Sequence, residues 1–246
     1  MNVFFNCLHR HNGSLRLRYR RQEDDCLALV DMAQLSELLN REQQALLSWL
    51  SSEERKHLER FRFPKRYNEW LSGRIAAKCC LLQTEKERCV PDRPDTFSIL
   101  PDSHGRPILS GPQMDGPLHV SISHSHRYAV AMAATPACGV DIQHIGLQIL
   151  KVRDRIATAE ELVLTDSLRT GSREAALTLL WVIKEALKKH LLPEQPGIFE
   201  AIAVERISPA DKKNFWQAQC RLTENKQRQT VRIVRLGDYM MAWCKG

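Results

Sequence analysis

The sequence predicts an α+β fold in which each half carries helices and a small antiparallel sheet. Three observations lead there. The 246 residues are 43% apolar and 26% charged, an ordinary globular balance with chain enough for one large or two small domains. Two capping-box signatures, residues 51–54 (SSEE) and 158–161 (TAEE), each open a helix, one in either half. Short alternating or apolar runs separated by turn residues then supply strands in both halves.

Taken in order, the box at 51–54 starts a helix that carries Leu58 and Phe61 inward, and Pro64 ends or kinks it. A second helix over 65–82 has Tyr67, Trp70, Leu71, Ile75 and Lys78 at helical spacing. Pro91, Pro94, Pro101 and residues 102–105 (DSHG) make loops. Residues 117–134 read as two strands, HVSIS and YAVAMAA, around a polar turn at 124–127. After a break at 135–139, Gly139-Val140-Asp141-Ile142 forms a short apolar strand. The box at 158–161 opens a helix with Leu162, Val163 and Leu164, and a long helix follows over 173–190. Residues 215–222 alternate Trp216, Ala218, Cys220 and Leu222 against polar neighbours, a half-buried strand. Residues 231–236 and 239–244 pair through Gly237-Asp238 as a two-residue hairpin. The lobes are expected at 1–135 and 136–246.

Composition excludes several classes of function. No apolar run approaches the ~20 residues of a membrane span, and the start has no sustained apolar signal region. The expected location is the cytoplasm, with no membrane partner. The net charge of +7 favours an acidic partner. No stripe of basic residues with interleaved aromatics is present, so nucleic acid is not expected. Eight cysteines occur without a C-x-x-C pair, which argues against structural zinc and for reduced thiols in the core.

Three segments could carry chemistry. Residues 121–125 (SISHS) place hydroxyls and an imidazole in a turn after a strand, a setting that suits a phosphate; the plain alternative is a polar turn. In Gly139-Val140-Asp141-Ile142-Gln143, strand alternation sends Asp141 and Gln143 to one face. A carboxylate among apolar neighbours is costly unless paired or metal-bound, so Asp141 is a candidate metal ligand; the plain alternative is a surface Asp at a strand end. In residues 181–189 (WVIKEALKK), Trp181, Glu185 and Lys189 share a helix face. The plain alternative there is a surface ion pair between Glu185 and Lys189, contributing about 0.3–0.5 kcal/mol.

The order and spacing of S-H-S, G-V-D-I and W-x-x-K-E-A resemble the 4′-phosphopantetheinyl transferase superfamily, in its monomeric surfactin-type branch. Residues 50–55 (LSSEER), Arg60-Phe61, 70–74 (WLSGR), Gly105-Arg106-Pro107 and 157–161 (ATAEE) resemble the family's other motifs, over about residues 50–190 in register. The resemblance implies two similar lobes with pseudo-twofold symmetry and coenzyme A bound in the cleft between them. It implies transfer of the phosphopantetheine arm to a serine of an apo carrier protein, with 3′,5′-ADP released. Asp141 and Glu185 would ligate Mg²⁺, Glu185 would also act as base, and Lys189 would neutralise the leaving phosphate. Ser123 and His124 would touch coenzyme A phosphates, Arg106 stands where the family usually has Lys, and Lys65 where relatives meet the 3′-phosphate. Gln143 replaces a frequent second acid, and it or water would fill that coordination position. The implied partners are coenzyme A and an acidic carrier of fatty-acid, polyketide or nonribosomal-peptide type. The alternative is a homologue that binds coenzyme A or carrier with little turnover.

Overall fold

The computed structural model describes residues 6–8, 17–22, 25–84, 93–111, 118–135, 137–168, 170–191, 200–210 and 212–246. The loop expected at Pro91, residue 117 at the start of the 117–134 segment and Cys89 lie outside them. The chain divides into two compact units, Met1–Cys138 and Gly139–Gly246. Among the described residues no helix is long and apolar enough to cross a membrane.

The first unit contains strands β1 (Asn6–Leu8), β2 (Leu17–Gln22) and β3 (Asp25–Asp31), then helices α1 (Met32–Leu47), α2 (Ser52–Leu58) and α3 (Pro64–Thr84). Strands β4 (Ser98–Pro101), β5 (Pro107–Ser110), β6 (His119–Ser125) and β7 (Tyr128–Ala134) follow. The main sheet is antiparallel in the order β1-β2-β3-β7-β6, and β4 and β5 form a separate hairpin. Helix α1 starts at Met32 because the Asp31 carboxylate accepts the Ala33 and Gln34 amides at 3.1 and 3.4 Å.

Helix α3 covers one sheet face. Leu71, Ile75 and Cys79 share a buried cluster with Cys26, Ala28 and Val30 of β3 and Ala129, Ala131 and Ala133 of β7. The alanines let the helix approach closely. Gly73 has the same purpose, since a Cβ there would stand 2.8 Å from Ile122 Cγ2.

Two expectations are corrected here. Pro64 does not end the helix that follows the first capping box: α2 stops at Leu58, and Pro64 opens α3, where its missing N–H has no role. Phe61 accordingly lies between the helices, its ring 6.0 Å from Trp70 and 5.6 Å from His57. The polar turn is also shorter than expected. Strand β6 continues through His124 and Ser125, and the chain reverses at His126 and Arg127, with His126 at φ +49°.

The second unit contains β8 (Cys138–His144), whose first residue closes the first unit. Then come α4 (Arg153–Ile156), α5 (Ala159–Asp166), α6 (Arg173–Leu191), β9 (Ile202–Pro209), β10 (Phe215–Leu222), β11 (Arg228–Leu236) and β12 (Tyr239–Lys245). Its sheet has the order β8-β12-β11-β10-β9. Helix α6 buries Leu179, Leu180, Ile183 and Leu187 in one cluster with Ala218, Val231, Ile233, Met240 and Ala242 of the sheet. The hairpin at Gly237-Asp238 forms as expected, with Leu236 paired to Tyr239 and Gly237 at φ +60°.

Both capping boxes form, and both glutamates do more than cap. Glu54 is fully buried. Its Oε2 accepts the Ser51 amide at 2.9 Å and meets Lys78 Nζ at 2.7 Å, while Oε1 accepts the Ile99 amide at 2.9 Å. Glu161 repeats this in the second unit. Its Oε2 accepts the Thr158 amide at 3.0 Å and meets Lys184 Nζ at 2.7 Å, and Oε1 accepts the Val204 amide at 2.9 Å. Each carboxylate ties a short helix, a long helix and a strand together. A buried charge is tolerated only when paired and hydrogen-bonded, and both are.

Candidate active site

Strand β8 and helix α6 bring the second unit's chemistry together. Asp141 is buried on β8, and Gln143, two residues on, shares its face and is half-buried. On α6, Trp181, Glu185 and Lys189 form the half-buried stripe that their spacing predicts. The plain alternative, a surface ion pair with Glu185, does not account for Lys189. Lys189 Nζ instead donates to Asp141 Oδ1 at 2.8 Å and to the Val140 carbonyl at 3.0 Å. Lys188 Nζ lies 3.9 Å from Glu185 Oε1. The plain reading of Asp141 as a surface residue fails, because its side chain is only 8% exposed.

Burial, and after it the Asp141 charge, push the Glu185 carboxyl above the usual carboxylate range, while Lys188 and Lys189 pull it back. Glu185 and Asp141 are therefore close enough to repel. Among the described residues no three His, Cys, Asp or Glu side chains converge on a metal position. The candidate donors to a metal are the Asp141 and Glu185 carboxylates and the Gln143 amide oxygen. Two mutually repelling carboxylates suit a hard cation that completes its shell with phosphate oxygens and water, which is how Mg²⁺ binds.

The lysine of W-x-x-K-E, Lys184, is 2% exposed. Its ammonium belongs to Glu161, so it fixes the rotation of α6 one residue before Glu185. Sequence reasoning gave Lys184 no role. Its place one position from Glu185, about 100° round the helix and so off the Glu185 face, is the signal that could have found it.

The first unit holds a cavity of about 300 Å³ lined by His57, Phe61, Arg66, Glu69, Trp70, Arg74 and His124, with Gly105 and Pro107 at one wall. His57 stacks on Trp70 at 5.2 Å, and the Arg74 guanidinium lies 4.5 Å from the centre of the same ring. His124 reaches this wall because it shares the face of Ile122. Ser123 points to the other face of β6, so the two adjacent residues do not converge as expected. The Arg106 guanidinium donates to Asp102 Oδ2 at 2.6 Å, while its neighbours Gly105 and Pro107 line the cavity. Lys65 is 85% exposed and Arg66 lines the cavity in its stead. Arg66 was missed because both residues sit in the first turn of α3, and residue type alone does not set the helix phase.

Among the described residues, Cys26, Cys79, Cys80, Cys138, Cys220 and Cys244 are free thiols, all buried. Burial pushes the Cys80 thiol well up, as desolvation of a thiolate requires.

Residues 137–244 match the 4′-phosphopantetheinyl transferase superfamily. The chain is 32% identical over 106 residues to the holo-[acyl-carrier-protein] synthase of Exiguobacterium sibiricum, covering 81% of that protein and 43% of this chain. It is 33% identical over 106 residues to the synthase of the same name from Anoxybacillus flavithermus, covering 86% of that protein and 42% of this chain. A crystal structure of a holo-(acyl-carrier-protein) synthase from Bacillus anthracis, in complex with CoA (3′,5′-ADP), aligns with 22% identity and a TM-score of 0.38. That alignment covers 93% of the other chain and 45% of this one.

Proposed function

The chain belongs to the 4′-phosphopantetheinyl transferase superfamily, and we propose that it transfers the 4′-phosphopantetheine arm of coenzyme A to a serine of an apo carrier protein. The other product is 3′,5′-ADP. The observation that carries this reading is the Asp141–Glu185–Lys189 constellation, which lies inside residues 137–244, the stretch that matches the superfamily.

Phosphoryl transfer depends on positioning and charge neutralisation more than on covalent chemistry. The serine hydroxyl attacks the phosphorus that bears the pantetheine arm, and the bond to the bridging pyrophosphate oxygen breaks. Glu185 takes the serine proton on its carboxylate, a role helped by its raised basicity. Lys189 holds its ammonium beside Asp141, where it neutralises charge on the departing phosphate. Asp141 and Glu185, with Gln143 or water, would hold Mg²⁺, which when bound offsets the pyrophosphate charge.

The first-unit cavity is read as the seat of coenzyme A's nucleotide end. Its aromatic stack offers a face for a purine, and Arg66 and His124 offer charge for phosphate. Lys65, Arg106 and Ser123 keep at most an outer part in that grip, given where their side chains lie. Asp141 and Lys189 stand in the second unit, and the cavity in the first.

The Glu54–Lys78 and Glu161–Lys184 devices support a chain of two similar, pseudo-twofold lobes, as in the monomeric surfactin-type branch. The +7 charge supports an acidic carrier, and buried reduced thiols support a cytoplasmic setting. Gln143, in place of an acid, favours one second reading: a coenzyme A or carrier holder with slow turnover. Incubation with coenzyme A, Mg²⁺ and apo carrier distinguishes them. The transferase releases 3′,5′-ADP in proportion to carrier, and none when the carrier serine is alanine. A holder binds coenzyme A or carrier but releases 3′,5′-ADP far more slowly than it binds them, with either carrier.

A further inference from the structure

Among the residues lining the first-unit cavity, His57, Arg66, Arg74 and His124 can carry positive charge, and Glu69 is the single carboxylate. A carboxylate in a cavity read as a phosphate seat should repel the ligand. Glu69 is, however, engaged on both oxygens. Its Oε2 accepts from Arg66 Nη1 at 3.2 Å. Its Oε1 lies 3.9 Å from His124 Nδ1 and 3.9 Å from Lys65 Nζ. The Glu69 side chain is 10% exposed, against 67% for Arg66 and 35% for His124. It is therefore the fixed member of the group, rooted in α3, and it reaches both a neighbour on its own helix and a residue of β6.

We infer that Glu69 is a positioning residue for coenzyme A: its buried carboxylate holds Arg66 and His124 at the cavity wall as the pair that meets the cofactor's phosphates. This rests on the reading of the cavity given above. Two physical effects act in the same direction. An exposed arginine has many rotamers to lose on binding, and a tether removes part of that cost beforehand. A carboxylate beside an imidazole favours its charged form, the form a phosphate needs. Of the charged and titratable groups described around the cavity, Arg66 and Arg74 of α3, the exposed Lys65 and a protonated His57 of α2 oppose protonation of His124, and Glu69 favours it. The opposing effect is direct repulsion between Glu69 and phosphate. The two accounts predict opposite signs when the charge is removed.

The test is Glu69→Gln, with KM for coenzyme A, KM for carrier and kcat measured across pH. Positioning predicts a rise of about tenfold in the coenzyme A KM. Carrier KM and kcat stay within about twofold, as expected for lost uniform binding. The pH at which the coenzyme A KM climbs moves lower. Glu69→Asp, which keeps the charge, recovers part of the loss and replaces Glu69→Gln should that variant fold poorly. In an Arg66→Ala/His124→Ala background Glu69→Gln adds little. A coenzyme A KM that is unchanged or lower in Glu69→Gln overturns the inference in favour of repulsion. A loss that adds fully to that of the Arg66→Ala/His124→Ala protein overturns it in favour of a purely structural role. If Arg66→Ala and His124→Ala both leave the coenzyme A KM untouched, the cavity is not the cofactor's seat. The inference then falls with that assignment, while the transferase reading stands on wild-type turnover.

Discussion

Gly139 lies directly against the backbone of Ala186: a Cβ on Gly139 would stand 1.9 Å from the Ala186 carbonyl oxygen and 3.0 Å from the His190 amide. The glycine of G-V-D thus meets the alanine of K-E-A across the interface of β8 and α6. Only a residue without a side chain allows the strand so close to the helix. That closeness lets Lys189 reach Asp141 and brings Asp141 near Glu185.

Gly139→Ala should therefore cost both stability and turnover. The clash is with backbone, which cannot rotate away, so the loss should be about 3 kcal/mol, the upper end for an overpacked core. Gly146→Ala is the control, since a Cβ there meets His144 Nδ1 at an ordinary 3.5 Å. Chemical denaturation with parallel transfer assays checks both. A Gly139→Ala protein of wild-type stability would show that β8 and α6 are not packed as described.

The buried Glu54–Lys78 and Glu161–Lys184 pairs should behave alike. Glu54→Gln, Lys78→Met, Glu161→Gln or Lys184→Met each leaves one buried charge uncompensated, at about 3–5 kcal/mol. Combining Glu54→Gln with Lys78→Met, or Glu161→Gln with Lys184→Met, removes both charges and keeps an amide oxygen for the buried N–H groups, so it should recover part of that. Urea unfolding of the four single and two double variants is the measurement. Doubles as unstable as the sum of the singles would contradict the account.

How much of this was legible in the sequence follows from the kind of interaction. The capping boxes at Ser51 and Thr158 are local, and both formed as read. Helices α3 and α6, strand β10 and the β11–β12 hairpin carry strong periodicity or turn chemistry, and they too stand close to their expected bounds. Strands β2 and β3, helix α1 and strand β9 went unassigned: β2 and β9 mix charged and apolar residues without a clean period, whereas the apolar run of β3 and the Met32, Leu35, Leu38, Leu39 stripe of α1 are signals that the reading passed over. The second roles of Glu54 and Glu161 depend on Lys78, Ile99, Lys184 and Val204, from 23 to 45 residues away, and no local pattern records them. The Lys189–Asp141 bond was hidden for the same reason: helix spacing proposed Glu185 as the partner of Lys189, and tertiary packing chose Asp141.

Ionisation of Glu185 should be visible in the metal-free chain. Its carboxyl is held above the ordinary range there, so its titration, followed by NMR without Mg²⁺, should lie above that of an unperturbed glutamate. Lys188 pulls it down, so Lys188→Ala should move that titration to higher pH. A raised folded-state value means folding favours the neutral form. Stability is thus lost as pH rises through it, and Glu185→Gln should be more stable than wild type at pH 7–8 but not at low pH. Melting temperatures that respond to Glu185→Gln equally at all pH values would refute the burial argument.

Gln143 contributes an oxygen but no charge to the face it shares with Asp141. Gln143→Glu should bind Mg²⁺ more tightly while keeping transferase activity, because a third carboxylate adds charge at the donor set. Calorimetric titration with Mg²⁺ in the presence of coenzyme A decides it. Weaker binding in a folded variant would remove Gln143 from the site.

The most direct test of the central claim is the intact mass of an apo carrier protein after incubation with coenzyme A, Mg²⁺ and the wild-type chain, beside folded Asp141→Ala and Glu185→Ala variants. Wild type should add one phosphopantetheine arm to the carrier serine, and neither variant should do so at a comparable rate. A carrier whose mass stays unchanged with wild type, across fatty-acid, polyketide and nonribosomal-peptide carriers, would contradict the transferase reading. Near-normal modification by either variant would contradict the roles given to Asp141 and Glu185.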